Sequence, residues 1–386
     1  MGYTTFNQKQ TDTLNQPAFL GEGLNVARFD QMKHRFIDRA TIEQISQFWV
    51  PEEIDLSQDK IDFRTKLTEG QRYIFMANLR YQTLLDSIQE RAPMLAFGPL
   101  VSIPELESFI DAWAFFELIH SRSYTHILRN LVPNPDEVFN NIVTDPAIIS
   151  RAESLTSAYD DLIELGMIYS VYGYGFHMVP SKGEHMMITP TVMRRAIIRA
   201  LATVNALEGV RFYVSFATSF AFAEKLDAMQ GSVKILRFIA RDEAIHRQTV
   251  GNILKAFASG KEGAEWKADF EAMIPEMTAI YRETFEQEIV WAEHLFSEGR
   301  TMPGLNTELL TGFMKLVTNQ TMAGGGLTPA FEKLGAHTLP WVRKFLYSGN
   351  VQVAPQEAEI SSYLVGRINT VIDLPALAAI KLLDAA

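Results

Sequence analysis

The 386-residue sequence contains no cysteine. Such a chain cannot form disulfides, and it offers no thiolate ligand for a metal or an iron–sulfur cluster and no thiol nucleophile. Any bound metal must therefore be held by oxygen and imidazole ligands, and any redox chemistry must come from a metal, an aromatic side chain or a partner. The absence of cysteine also agrees with a cytoplasmic location, or the host cytoplasm if a virus encodes the chain.

Long apolar segments and basic clusters are missing as well. The sequence has no run of about 18 apolar residues and therefore predicts no transmembrane helix. Its polar beginning, MGYTTFNQKQTDTLNQ, predicts no secretory signal. The formal net charge is -11, whereas a nucleic-acid-binding surface needs clustered Lys and Arg. We therefore expect neither a membrane nor a nucleic acid as a direct partner.

Most of the chain has the periodicity of long helices. Segments 68–71 and 102–105 each fit a capping box, and the helices that they open are expected to end near residue 90 and before Pro133. Further helices are predicted over roughly 149–166, 190–225, 232–257, 264–298 and 306–322.

Two segments depart from this helical pattern. Residues 167–189 are rich in Tyr, Gly and Met, and they predict a β-hairpin or an ordered loop between helices. Residues 347–386 carry few packing signals and are predicted to form a tail. The predicted fold is therefore mostly α, with one domain over 1–346 and a C-terminal tail over 347–386.

Four of the predicted helices carry ionisable side chains on their apolar faces. A helix turns about 100° per residue, so positions three, four and seven apart share a face. The apolar stripe that includes Trp113 continues through Glu117, His120 and Tyr124. The other three helices repeat the pattern with Glu243 and His246, with Glu208, and with Asp86.

Buried carboxylates in this number need cationic partners. Four of them meeting in a core would repel one another and be forced to protonate, and no comparable set of Arg or Lys lies on the same stripes. Two divalent cations would cancel the four negative charges, and two neutral imidazoles would complete the ligand set. Oxygen-rich ligands with two nitrogens suit iron or manganese better than structural zinc or copper.

The order of the six residues strengthens this prediction. Asp86 precedes Glu117-x-x-His120, and Glu208 precedes Glu243-x-x-His246 at a similar distance. No other Glu-x-x-His segment occurs in the sequence. One acid from each of two helices and Glu-x-x-His from each of two others is typical of ferritin-like di-iron bundles. Taken singly, each residue could equally be a salt-bridged acid or a satisfied core histidine, but that alternative does not account for all six.

Tyr124 lies one turn after His120 on the same face. A metal centre that has reacted with O₂ could take an electron and a proton from its phenol, and a dry pocket would protect the radical that results. Phe212, Phe216 and Ile239 are expected to project toward the same centre. An ordinary core tyrosine with a hydrogen-bonded hydroxyl is the alternative.

Several strings of the sequence resemble the small (β) subunit of class Ia ribonucleotide reductase. They are LRYQTLLDSIQ, WAFFELIHSRSYTHILRN, TVNALEGVRFYVSFA, IARDEAIH and NVQVAPQEAEISSYLVG. The resemblance implies a homodimer whose ferritin-like domain uses two iron ions per chain (manganese is possible) and O₂ to generate a tyrosyl radical. It further implies that the tail docks to the large (α) subunit, where the radical starts the reduction of ribonucleoside diphosphates to 2′-deoxyribonucleoside diphosphates.

The resemblance also implies functions for single residues around the predicted centre. Tyr124 matches the stable radical site, which Phe212, Phe216 and Ile239 surround. The metal ligands that it implies are Asp86, Glu117, His120, Glu208, Glu243 and His246.

Four further residues match a radical-transfer route. Trp49 matches a tryptophan that carries an electron to or from the centre, and Asp242 matches the acid that links this tryptophan to His120. Tyr363 and Glu357 match tail residues that help to pass the radical to the large subunit. Without the family, Trp49 could equally be a packed core residue and Tyr363 an ordinary surface residue.

The chain departs from the family pattern in two places. Phe116 stands where close relatives have a small polar residue, and it can affect packing or O₂ access without removing a ligand. The end, VIDLPALAAIKLLDAA, replaces the usual acidic, Phe-containing end and could dock as a short amphipathic helix in a cognate groove.

Three other functions are compatible with the residues themselves. A di-iron oxygenase or desaturase would need a substrate channel at the metals and no large subunit. A ferritin-like storage protein would usually be much shorter and lack the tail, and a helical scaffold would bind neither iron nor manganese.

Overall fold

The computed structural model describes residues 4–333 and 335–346. The predicted tail over 347–386, with Glu357 and Tyr363, lies outside the described residues, so the division into domain and tail stays a prediction. The described part consists of 13 α-helices, a two-stranded sheet and short 3₁₀ and π turns, in agreement with a mostly α fold.

Seven helices precede the sheet and six follow it. The first seven are α1 (Arg35–Ser46), α2 (Ser57–Thr65), α3 (Glu69–Gln89), α4 (Ala92–Phe97), α5 (Pro104–Leu131), α6 (Pro135–Ile142) and α7 (Pro146–Tyr172). Strands β1 (Gly175–Val179) and β2 (Glu184–Ile188) then pair antiparallel, with Gly175 opposite Ile188. The last six are α8 (Pro190–Ala206), α9 (Tyr213–Leu226), α10 (Gln230–Ala258), α11 (Ala264–Phe296), α12 (Thr307–Gly324) and α13 (Arg343–Leu346).

The capping box predicted for α3 is confirmed. The Thr68 hydroxyl accepts a hydrogen bond from the Gln71 backbone N–H at 3.3 Å, and the Gln71 side chain accepts one from the Thr68 backbone N–H at 2.9 Å. Both contacts satisfy donors that the first turn of a helix leaves without intrahelical partners. The helix that begins here carries Asp86 near its other end.

The second predicted capping box, at the start of α5, is wrong. The N-cap is Ile103, whose side chain makes no capping hydrogen bond. The Ser102 hydroxyl instead accepts a hydrogen bond from the Gly21 backbone N–H at 2.6 Å, and the Glu105 carboxylate accepts one from the His34 backbone N–H at 2.8 Å. Long-range contacts therefore take both groups that the local pattern had assigned to the cap. The helix still ends at Leu131, as predicted.

The helix predicted over 190–225 is interrupted. α8 ends at Ala206, the π-helical turn Leu207–Arg211 follows, and α9 begins at Tyr213. A π turn inserts an extra residue into a helix and is often found at functional sites. Glu208 lies within this turn, so the direction of its side chain does not follow from the α-helical period.

The hairpin is shorter than the segment predicted for it. α7 continues to Tyr172 and ends at Gly173, whose φ of 75° favours glycine. The strands therefore occupy only 175–188, with a 3₁₀ turn over Pro180–Lys182 between them.

The site helices pack directly on one another. α5 contacts α1, α3 and α10, and α10 also contacts α8, α9 and α12. The π turn between α8 and α9 contacts α10, α11 and α12. As a result, the inner faces of α3, α5, the π turn and α10 meet in the core.

Within the part of the chain that the structure describes, no helix is long and apolar enough to cross a membrane.

Candidate metal centre

Six ionisable side chains meet where these four elements converge, and each is fully buried. They form two overlapping groups, within each of which the potential ligand atoms lie within 4.8 Å of one another. Glu117 and Glu243 belong to both groups. The first group adds Asp86 and His120 to them, and the second adds Glu208 and His246.

The first group is arranged around the ring of His120. Its Nδ1 atom lies 3.1 Å from Glu243 Oε1, 3.3 Å from Glu117 Oε2 and 3.9 Å from Asp86 Oδ2. One imidazole nitrogen and three carboxylates therefore face a common point.

The second group repeats this arrangement around His246. Its Nδ1 atom lies 3.0 Å from Glu243 Oε2, 3.3 Å from Glu117 Oε1 and 3.7 Å from Glu208 Oε2. Glu117 and Glu243 thus direct one carboxylate oxygen toward each imidazole. This geometry is suited to two cations that share two bridging carboxylates.

Without cations, the cluster must balance its charges with protons. Burial, and then the charge of Glu117, raise the pKa of Asp86 well above its ordinary value. Burial, followed by the charges of Glu117 and Glu208, does the same to Glu243. Burial alone would lower the pKa of His120, but hydrogen bonds with Asp242 and Glu117 raise it to about 10.

Several buried oxygens of the cluster have no hydrogen-bond partner among the described residues. They are both carboxylate oxygens of Asp86, Oε2 of Glu208 and Oε1 of Glu243. Buried polar atoms in proteins nearly always have a partner. Cations bound by these oxygens would satisfy them, so the donor set fits two metal ions.

An outer hydrogen-bond chain supports His120. Asp242 Oδ2 lies 3.2 Å from His120 Nε2 and accepts a hydrogen bond from the Trp49 indole N–H at 2.8 Å. The Arg241 guanidinium donates to the other oxygen at 3.1 Å. The structure therefore brings together Trp49, Asp242 and His120, as the resemblance implied, and Trp49 is buried.

His246 has a different support, which the sequence did not predict. The side-chain amide of Gln44, on α1, contacts His246 Nε2 through its nitrogen, while Gln44 Oε1 has no partner among the described residues. If His246 Nδ1 binds a metal, Nε2 must carry the proton. The Gln44 amide must then turn so that Oε1 accepts this proton.

Neutral groups also hold Glu208 and Glu117. The Gln89 amide donates to Glu208 Oε1 and accepts a hydrogen bond from the Tyr159 hydroxyl at 2.7 Å. The Trp113 indole N–H donates to Glu117 Oε1 at 3.0 Å. Helical spacing gives a signal for two of these residues, because Gln89 follows Asp86 by one turn and Trp113 precedes Glu117 by one turn.

Tyr124 lies beside the first group and is fully buried. Burial and then the charge of Asp86 raise the pKa of its phenol well above the ordinary value. The hydroxyl interacts with the Asp86 carboxyl group. It forms no regular hydrogen bond with any described residue. Phe212, Phe216 and Ile239 are also fully buried.

Phe116, the departure from the family pattern, points away from solvent. It is buried and packs edge to face on Phe115, with ring centroids 5.8 Å apart. Its position beside Glu117 on α5 leaves all six side chains of the cluster in place.

The fold and the site together define a class of protein, a helical bundle with a buried carboxylate–histidine cluster that could bind two metal ions. The family model "Ribonucleotide reductase, small chain" matches residues 27–337. The chain therefore belongs to the ribonucleotide reductase small-chain family, and the family prediction is confirmed.

Relatives of high identity extend over almost the whole chain. The β subunit of ribonucleoside-diphosphate reductase from Haemophilus influenzae is 47% identical, over 97% of this chain and 98% of the relative. The β subunit of ribonucleoside-diphosphate reductase 1 from Escherichia coli O157:H7 is 45% identical, over 99% and 100%. The β subunit from Enterobacteria phage T4 is 41% identical, over 98% and 99%. Nothing in these matches supports an oxygenase or a desaturase.

Solved structures share the fold at lower identity. The ribonucleotide reductase R2 subunit from Clostridium botulinum gives a TM-score of 0.71 at 23% identity, over 90% of this chain and 98% of that one. Dimanganese(II)-NrdF from Streptococcus sanguinis gives 0.65 at 21% identity, over 84% and 100%. Together these matches confirm the predicted ferritin-like fold.

Proposed function

We propose that this chain is the radical-generating small subunit of a class I ribonucleotide reductase and that Tyr124 carries the radical. The observation that carries the proposal is the pair of buried groups sharing Glu117 and Glu243, with a buried phenol beside them. The high identity to β subunits supports the same function.

The six clustered side chains would hold two metal ions, and Glu117 and Glu243 belong to both groups of proposed ligands. Iron is the metal that we propose, because the family resemblance implies it and the oxygen-rich donor set with two imidazoles suits it. Manganese uses the same donors, and one fold relative is a dimanganese(II) protein. When bound and exposed to O₂, a pair of iron ions supplies a strong one-electron oxidant.

The protein's own groups would then determine where the oxidation ends. Tyr124 would lose one electron and its phenolic proton, and the Asp86 carboxylate faces that hydroxyl. Phe212, Phe216 and Ile239 would keep water away from the radical, since all three are fully buried.

The Trp49–Asp242–His120 chain would carry the radical equivalent away from the centre. Its two hydrogen bonds, 2.8 Å and 3.2 Å at Asp242 Oδ2, give a continuous path between indole and imidazole. Tyr363 and Glu357 would extend the route to the large subunit, where ribonucleoside diphosphates would be reduced. The chain has no cysteine of its own for that reduction.

An exposed apolar face supports the proposed homodimer. It consists of side chains from α1, α5 and the residues after α1, and two of its rings, Phe48 and Phe115, stack with centroids 6.1 Å apart. Clustered exposed apolar residues commonly mark interfaces. The members of the face are Ile42, Ile45, Phe48, Phe115 and Leu118. We expect the dimer and its large subunit to work in the cytoplasm.

The decisive experiment is low-temperature electron paramagnetic resonance of the full chain, loaded with iron(II) and exposed to O₂. We expect a stable tyrosyl signal in the unchanged chain and its loss in Tyr124→Phe, which should still bind two iron ions. Tyr281→Phe is a matched control that removes another buried phenol, whose hydroxyl donates to Asn205, and should keep the signal. A stable signal of unchanged shape in Tyr124→Phe would contradict the assignment, and a chain that binds no metal would contradict the proposed function.

A further inference from the structure

A second tyrosine in the core is paired with a base. Tyr81, on α3, and Glu288, on α11, are both fully buried. The Tyr81 hydroxyl donates a hydrogen bond to Glu288 Oε1 at 2.6 Å. The other oxygen, Oε2, has no hydrogen-bond partner among the described residues. The function proposed above uses neither residue.

The type of acceptor distinguishes Tyr81 from other buried tyrosines. The Tyr159 hydroxyl donates to the amide oxygen of Gln89 at 2.7 Å, and the Tyr281 hydroxyl donates to that of Asn205 at 2.7 Å. An amide oxygen is a very weak base, whereas a carboxylate can take the proton that a phenol releases when it is oxidised. Tyr81 is therefore placed to lose an electron and a proton together.

The pair shares two structural elements with the metal cluster. Tyr81 precedes Asp86 by five residues on the same helix, which is about 7.5 Å along its axis. The charge of Arg211 acts on both Tyr81 and Glu288, and Arg211 ends the π turn that carries Glu208. The elements around Tyr81 are thus the same ones that position two of the proposed ligands.

An aromatic path connects Tyr81 with the surface. Its ring centroid lies 4.9 Å from that of Trp291, and the Trp291 ring stacks on His294 at 5.2 Å and 15°. His294 Nε2 in turn contacts the hydroxyl of the partly exposed Tyr73 at 2.9 Å. This path includes none of the residues of the Trp49 chain.

The surroundings of Trp291 suit passage of an electron better than storage of a radical. The Arg151 guanidinium lies 4.9 Å from the ring centroid, and a cation there disfavours a positive charge on the indole. The indole N–H donates to the amide oxygen of Asn78 at 3.1 Å, which is no base. The radical would therefore be located on Tyr81, which has a base beside its hydroxyl.

We propose that Tyr81 is a second redox-active tyrosine, which gives an electron to the oxidised metal centre and its proton to Glu288 Oε1. This inference rests on the proposed function. In the step, the phenolic O–H bond of Tyr81 breaks and an O–H bond forms on Glu288. Glu288 must be ionised to accept the proton, so the step and its tests require a pH above the raised pKa of about 7.

The electron is replaced from outside along the aromatic path. Tyr81 regains an electron from Trp291 and its proton from Glu288. Trp291 takes an electron from Tyr73, whose proton passes to His294 Nε2. A soluble one-electron reductant, such as ascorbate, restores Tyr73, which recovers that proton. The net result is that one electron from the reductant reaches the metal centre and Tyr124 is not oxidised.

Rapid freeze-quench electron paramagnetic resonance tests the step in the full iron(II)-loaded chain after O₂ is added. In Tyr124→Phe we expect a transient tyrosyl signal, identified by ring-deuterated tyrosine and shortened by ascorbate. Adding Tyr81→Phe to this variant should abolish the transient signal, whereas adding the matched control Tyr281→Phe, whose hydroxyl donates to Asn205, should not. A transient signal that survives Tyr81→Phe overturns the proposal. So does a missing transient signal when the unchanged chain forms the stable one.

A metal-free measurement separates this inference from the proposed function. An ultraviolet flash oxidises tryptophan in the metal-free full chain, and conversion of the tryptophan radical to a tyrosyl radical is followed by absorbance. Loss of the base in Glu288→Gln should slow conversion at least about tenfold. Tyr81→Phe should do the same and Tyr281→Phe should not. Equal rates in all four chains overturn the proposal, even if the metal centre behaves as expected.

Discussion

At the residue scale, the two imidazoles of the cluster differ in what supports them. A carboxylate, Asp242, faces His120 Nε2, whereas a neutral amide, Gln44, faces His246 Nε2. Partners of this kind fix the ring and its tautomer, and their loss typically lowers metal affinity. Metal binding by the second group, which contains His246, is therefore expected to depend on Gln44.

We expect Gln44→Leu to weaken metal binding by the second group about 10- to 100-fold, which is the usual range for the loss of a residue that supports a metal ligand. Competitive metal titration measures the effect. Gln44→Glu is the matched variant, because its carboxylate can still accept the Nε2 proton and should preserve binding. Equal affinity in the unchanged chain and in Gln44→Leu would show that the ring needs no such support.

The buried Glu288 predicts a specific dependence of stability on pH. Burial raises its pKa to about 7, although Arg151, the Tyr81 hydrogen bond and Arg211 all act to lower it. In the unfolded chain the ordinary pKa is 4.5. Between these values the folded state keeps a proton that the unfolded state releases, so the free energy of unfolding falls as pH rises from 4.5 to about 7.

We expect this loss to reach about 3 kcal/mol, at 1.36 kcal/mol per pKa unit. Urea unfolding of the metal-free chain at several pH values measures it, and Glu288→Gln should lack this part of the loss. The comparison cancels the other titrating groups, since both chains contain them. Parallel pH profiles for the two chains would mean that Glu288 does not hold its proton in the fold.

At the scale of single elements, the π turn depends on one glycine. A Cβ atom on Gly209 would lie 2.4 Å from Thr321 Cγ2 and 2.7 Å from Arg247 Cδ. The backbone oxygen of Gly209 also accepts a hydrogen bond from the Thr321 hydroxyl at 3.0 Å. α12 therefore approaches the backbone beside Glu208 too closely for any side chain at this position.

We expect Gly209→Ala to cost about 1–3 kcal/mol of stability, as overpacking usually does, and to weaken metal binding by moving Glu208. Thermal unfolding and metal titration measure the two effects. Gly324→Ala is the matched control, since a Cβ atom there meets no atom within 4 Å. Adding Thr321→Ala to Gly209→Ala should recover part of the stability, and no recovery would place the strain elsewhere.

The elements also show how far the sequence could predict the site. Glu117, His120, Glu243 and His246 lie within uninterrupted helices, so the 3.6-residue period was sufficient to place them on buried faces. Glu208 had the right residue type, but its π turn has no simple sequence signal. Gln44 could not be predicted, because nothing in the pattern had indicated α1 or its contact with α10.

Two further errors concern the ends of helices. The Ser102 capping box failed because Gly21, far away in the sequence, takes the hydroxyl. The hairpin was predicted too long because residues 167–172, which include Tyr169 and Tyr172, remain helical at the end of α7. The functions of Trp49 and Asp242 came from the family resemblance, whereas that of Tyr124 was also predicted from its position one turn after His120. All three stay predictions.

For the whole molecule, metal loading should change stability. The metal-free cluster must take up protons to limit repulsion among its four carboxyl groups. A ligand that binds only the folded state stabilises it by about 2.7 kcal/mol at 100 times its dissociation constant. We therefore expect iron(II), kept without O₂, to raise the melting temperature of the full chain. Calorimetry measures the shift, which Glu243→Ala should largely remove. A shift of equal size in that variant would indicate binding outside the cluster.

The Glu117 and Glu243 carboxylates, which belong to both groups of the cluster, also affect how the site takes up metal ions. Because each sends one oxygen to either imidazole, the first ion to bind fixes half of the surroundings of the second. The two binding events are then thermodynamically linked, and each raises the affinity of the other by the same factor. A titration would accordingly follow a sigmoidal isotherm, in which chains that hold a single ion remain scarce at every concentration.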